Sequence, residues 1–115
     1  MEEFERELKA SIREFNYLLK SKNYFEAHEV LEISWKRSKI VGFDKTAKAL
    51  KGLINASIAF EHLKRDKPKS KRVAKVAFGA YQKYSKYISK SCFNTTLESA
   101  SKGVERVAKE FNLKD

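Results

Sequence analysis

The chain of 115 residues carries 25 Lys and Arg against 15 Asp and Glu, a net charge of +10, with 42% hydrophobic residues, four glycines, one proline and one cysteine. A chain of that length buries about two-thirds of its extended surface, so one core is expected over residues 1–115, and so little Gly and Pro argues against a many-stranded β protein. The lone Cys92 excludes an intramolecular disulfide, the start Met1 to Glu7 is acidic where a secretion signal is basic, and no apolar run approaches the roughly 20 residues that cross a bilayer, so a cytoplasmic protein without a membrane anchor is expected.

Phe4, Leu8, Ile12, Phe15 and Leu19 recur at spacings of three and four and predict a first helix over Glu2 to Lys20, with glutamates in its opening turns where the helix dipole favours them. After the turn Ser21-Lys22-Asn23, with Asn23 as N-cap, a second helix is predicted from Tyr24 to about Lys39; Tyr24, His28, Leu31, Glu32 and Trp35 share one face of it. Ile40 to Phe43, containing Gly42, reads as a connection, and Asp44 is placed to cap a third helix reaching about Arg65. From Ala47 to Leu63 that helix is apolar on nearly every side, which puts it at the centre; Lys51, Asn55 and His62 make its one polar stripe. Pro68 marks the next break, and a fourth helix is predicted from about Lys69 to Ser89, with Ala74, Ala77, Phe78, Tyr81, Tyr84 and Ile88 on one face and Lys71, Arg72, Lys75, Lys83, Lys86 and Lys90 opposite. A fifth helix is read from Asn94 to Phe111, capped by Asn94 or Thr95. The expected fold is all-α: a compact array of five helices around helix three.

Charge is unevenly spread. Residues 1–33 hold eight acids against five bases, residues 34–63 carry a net +4, residues 64–90 hold ten bases against one acid, and residues 91–115 balance. A lysine-rich helix is most often a solvated face, and it is also how a protein meets an anionic partner. Tyr81 and Tyr84 fall on the apolar face, which leaves Tyr87 alone near the lysines, so any nucleic-acid binding is expected to be led by phosphate contacts and not by base stacking.

The densest chemistry is Tyr24-Phe25-Glu26-Ala27-His28-Glu29-Val30-Leu31-Glu32, followed by Trp35. His28 and Glu32 are one turn apart, so a carboxylate meets an imidazole on the helix surface, an arrangement suited to acid–base work, to ligation or to tying two helices together. The zinc-protease spacing would need His at position 32, and with His62 as the other donor the set is two imidazoles and a carboxylate; neither a metal nor a cofactor is assigned. Trp35 reads as a core or pocket-wall residue, and Lys51, on a mostly apolar helix, is expected to reach solvent or to pair with Glu29 or Glu32.

At these residues the chain resembles the small helical bacterial and archaeal proteins of domain-of-unknown-function family 309. The resemblance runs over Phe15 to Leu63, through Tyr24 to Glu32, Trp35 and Lys51-Gly52-Leu53-Ile54-Asn55, which is similar to a Gln-Gly-Leu-Ile-Gln segment of that family. It implies an all-helical array and no particular activity. Lys51 stands where the family pattern has Gln, and Arg65-Asp66-Lys67-Pro68 replaces a Gly-Asn turn.

Two functions of different class follow as expectations. One is a polar pocket between helices two and three, lined by His28, Glu29, Glu32, Trp35, Lys51, Asn55 and His62, that takes a small molecule. The other is an interaction protein whose lysine-rich fourth helix meets nucleic acid or an acidic protein. A third expectation is purely structural association, including homo-oligomerisation, through an apolar helix face.

Overall fold

The computed structural model describes residues 2–113, and among these every ordered element is helical: α1 (Glu2–Lys20), α2 (Tyr24–Val41), α3 (Asp44–Arg65), α4 (Ser70–Tyr84), a 3₁₀ turn (Ser85–Tyr87) and α5 (Asn94–Glu110). The first stripe is buried as its spacing requires, from Phe4 through Leu8, Ile12 and Phe15 to Leu19. α3 is the hub. It packs against α2, α4, α5 and the 3₁₀ turn, while α1 closes the far side against α2 and α5. Its buried residues, among them Ala49, Leu50, Leu53, Ile54, Ala56, Ala59 and Phe60, cover several faces, as expected of a helix with a single narrow polar stripe. The Cα radius of gyration, 13.3 Å, is that of a closely packed chain of this length. No helix is long and apolar enough to cross a membrane among the described residues.

Helix ends show where local signals were overruled. Asn23 occupies the N-cap of α2, but its side chain bonds Ser21 Oγ and leaves the helix amides alone. α2 runs to Val41, two residues past Lys39, because Gly42 (φ 87°) takes the left-handed turn and returns its N–H to the Ser38 carbonyl. Asp44 and Asn94 are the first residues inside their helices; the cap positions belong to Phe43 and Phe93, which pack on each other and on Phe4 at one end of the bundle. Asp66 ends α3 in the left-handed conformation (φ 51°), doing the work of the Gly-Asn turn that the chain lacks.

The largest departure is in α4, which stops at Tyr84 and does not continue to Ser89. Ser85 Oγ donates to the Gln82 carbonyl and Ser89 Oγ to that of Lys86, offering local bonds that compete with the helix. Beyond the turn the chain is pinned by the buried hydroxyl pair Thr46–Ser91 (2.6 Å) and by Phe93 in the core. Lys86 and Lys90 therefore leave the stripe that a continuous helix would have given them.

Two buried phenols link the helices. Tyr81 Oη donates to Glu105 Oε2 (2.8 Å) and accepts from Ser101 Oγ (3.0 Å), tying α4 to α5. Burial raises the pKa of Tyr81, and Glu105 adds to that; burial also raises Tyr24, reinforced by Glu110 and opposed by Arg106. A folded state that holds protons which the unfolded chain releases near pH 10 is stable below that pH and weakens above it. Unfolding free energy measured in denaturant is expected to be level from pH 8 to 9.5 and to fall from pH 10 upward, and Tyr81→Phe is expected to reduce that fall.

Candidate functional site

Of the seven residues expected to line one pocket, four line two separate clefts, His28 and His62 in one and Trp35 and Lys51 in the other, and Glu29, Glu32 and Asn55 line neither. His28 and His62 do meet, in a cleft of about 160 Å³ with Phe25, Ile58, Glu61 and Arg65. His28 Nε2 lies 3.1 Å from Glu32 Oε1, and the edge of the imidazole packs on Phe25. Glu29, one residue and so about 100° round the helix from His28, points into solvent. Asn55 is turned back on its own helix, donating Nδ2 to the Lys51 carbonyl at 2.9 Å. Among the described residues no three His, Cys, Asp or Glu side chains come together as a ligand group for a metal ion.

The His28–Glu32 pair is half-open: the two side chains keep 16% and 39% of their exposure. A pair so placed is screened by water and contributes little, as surface ion pairs do. Glu32→Ala is accordingly expected to lower the unfolding free energy by less than about 1 kcal/mol. A loss of about 3 kcal/mol, the cost of stranding a buried charge, would identify the pair as a helix-to-helix tie.

Trp35 and Lys51 belong to a second, larger cleft of about 320 Å³, which Ala47, Lys39, Lys48, Asp44 and Tyr84 also line. Lys51 does not pair with Glu29 or Glu32. Its ammonium lies 5.0 Å from the centre of the Trp35 ring, which Lys39 approaches at 3.9 Å. Next to Tyr84 stands Tyr87, the ring centres 6.4 Å apart. Lys83 reaches Tyr84 at 5.6 Å, and Lys48, Lys86 and Lys90 reach Tyr87 at 5.0, 5.4 and 5.6 Å. Six ammonium groups thus share three half-buried rings, all on one surface where the end of α2, the first half of α3 and the exit of α4 come together.

That surface divides the lysine-rich stripe. Lys71, Arg72 and Lys75 are exposed on the opening turns of α4, and Lys83 lies eight residues, about 12 Å, beyond Lys75 along the helix. Lys83 stands at the Tyr84 ring and Lys86 and Lys90 at the Tyr87 ring, beside the Trp35 cleft and outside its lining. Tyr81 is buried, but Tyr84 is only half so, because the helix ends at it; two tyrosines, not Tyr87 alone, thereby stand among the lysines. Lys39 and Lys48 were not expected here, yet each carries a local signal: Lys39 is one turn beyond Trp35, and Lys48 is three residues before Lys51.

A family model described as Domain of unknown function (DUF309) matches residues 12–73, from the middle of α1 to the start of α4. The match reaches further in both directions than the motif resemblance. It takes in Trp35, Lys39, Lys48 and Lys51 and leaves Tyr84, Tyr87 and the lysines around them outside. No curated protein and no solved structure matches the chain.

Proposed function

The chain belongs to domain-of-unknown-function family 309, a membership that assigns no activity, and from its surface chemistry we propose that it is a nucleic-acid-binding domain acting through the lysine–aromatic face of α2, α3 and the α4 exit. The observation that carries the reading is the convergence of six ammonium groups on Trp35, Tyr84 and Tyr87. An ammonium is attracted to the electron-rich face of an aromatic ring, and each of these three rings has at least one within 6 Å. Positive charge interleaved with accessible rings is the chemistry that tracks a phosphate backbone while offering bases a face to stack on. The net charge of +10 supports non-specific attraction to the same polymer.

The cleft at His28 and His62 supports a small-molecule reading less well. Its volume of about 160 Å³ falls below the roughly 300–1,000 Å³ of most ligand pockets.

The test is anisotropy of a labelled single-stranded oligonucleotide titrated with the protein between about 50 and 200 mM salt. If the six lysines each neutralise one phosphate, log K falls with log salt at a slope near −4, a loss of a few hundred-fold over that range. Absence of binding at the lowest salt would overturn the proposal. So would capture by polyglutamate with no capture by the oligonucleotide, which would transfer the face to an acidic protein.

A further inference from the structure

We propose that the cleft between Trp35 and Tyr84 seats an unpaired base, so that the protein selects single-stranded over duplex nucleic acid. The inference rests on the nucleic-acid reading and adds to it a site and a strand preference. The cleft is lined by two aromatic residues, Trp35 and Tyr84, with Ala47 and with Lys39, Lys48 and Lys51; its volume of about 320 Å³ lies at the lower end of the range for small-molecule pockets. An apolar slot of that size with ammonium groups beside it suits a flat ring that carries a phosphate. Asp44 is the one carboxylate in the lining, and its charge keeps phosphate off that wall and directs it to the lysines.

Lys39 and Lys51 cover the Trp35 ring in the free protein. A solvated lysine over an aromatic ring is a weaker partner for it than a stacked base. A base therefore displaces an ammonium with a net gain, and the freed ammonium is available to the adjoining phosphate. Bases of a duplex are stacked inside it and reach such a slot only after unpairing, which costs free energy. Single strands have no such cost. Sequence choice stays weak, because every base presents a face to stack on.

Trp35 is the only tryptophan in the chain, so its emission reports on the slot alone. The full-length protein is titrated at fixed low salt with a single-stranded oligonucleotide, with the matching duplex and with a mononucleotide, while emission and anisotropy are read together. The single strand is expected to change Trp35 emission at saturation and to bind at least tenfold more tightly than the duplex. Trp35→Ala and Tyr84→Ala are each expected to weaken single-strand binding about five- to 150-fold and so to narrow the gap between single strand and duplex. Trp35→Phe, which keeps a ring, is expected to restore most of the loss, and circular dichroism of each variant separates a lost contact from a lost fold. Equal affinity for both forms with unchanged emission would overturn the base slot and leave the phosphate-led interface standing. Binding of neither form would overturn both. A mononucleotide that saturates the emission change as readily as the strand would overturn the strand preference and make the slot a nucleotide site.

Discussion

Changing Lys48, Lys51, Lys83 and Lys86 together to glutamine is expected to lower affinity for a single-stranded oligonucleotide by about three orders of magnitude at 50 mM salt. Counterion release sets the size of this loss. Each phosphate contact contributes about 0.7 to the salt slope for a single strand, and extrapolation from 1 M down to 50 mM spans 1.3 log units, so four contacts supply between three and four log units. The slope itself should shrink from about −4 to about −1.5. All four positions are exposed or lie at the surface of the cleft, so the fold should be little affected, and the thermal midpoint provides the control. Changing Lys71, Arg72 and Lys75 instead, on the far turns of α4, is expected to leave most of the affinity in place. Equal losses from the two sets would mean that binding follows net charge and that the aromatic face has no special role.

Phe60→Ala is expected to remove about 3–5 kcal/mol of unfolding free energy, a large part of the 5–15 kcal/mol that holds a typical domain together. Phe60 is fully buried in the last third of the hub helix. Its ring meets Tyr24 of α2 at 5.6 Å, Phe78 of α4 at 6.3 Å and Phe111 beyond α5 at 5.9 Å. Truncation opens a cavity where three helices meet and none can close it alone. Urea unfolding followed by circular dichroism measures the loss, with Tyr17→Ala as a comparison: that ring is 68% exposed, and its removal should change stability by no more than about 0.5 kcal/mol. A loss at Phe60 below about 1 kcal/mol would show that the helices do not depend on this cluster.

The helices were legible because helix formation reports on neighbours in sequence. A spacing of three and four brings Phe4, Leu8, Ile12 and Phe15 onto one face whatever else the chain does, and the same local geometry brought His28 to Glu32. The narrowness of the polar stripe on α3 likewise determined that it would lie at the centre. Boundaries were less legible, since caps depend on competition: Asn23 found Ser21, and the positions before α3 and α5 went to Phe43 and Phe93, whose rings gain more from the core than a polar cap gains from an amide.

The candidate site was legible only in fragments. His28 with His62, and Trp35 with Lys51, were each grouped from helix faces, but joining them into one pocket assumed that everything on facing stripes converges. Two helices in contact share a seam, and residues along it are spread by 1.5 Å per residue, so Trp35 and Lys51 sit at one end and His28 and His62 at the other. The path of the chain after α4 is held by Ser91 reaching Thr46, 45 residues away. The approach of α4 depends on Gly52, where a Cβ would stand 3.0 Å from that of Tyr84. The sequence by itself determined the five helices, the central position of α3 and the excess of lysine. Only the tertiary structure decided that lysines from three segments would surround Trp35, Tyr84 and Tyr87, because that depends on contacts between residues far apart in the chain, which no periodicity records.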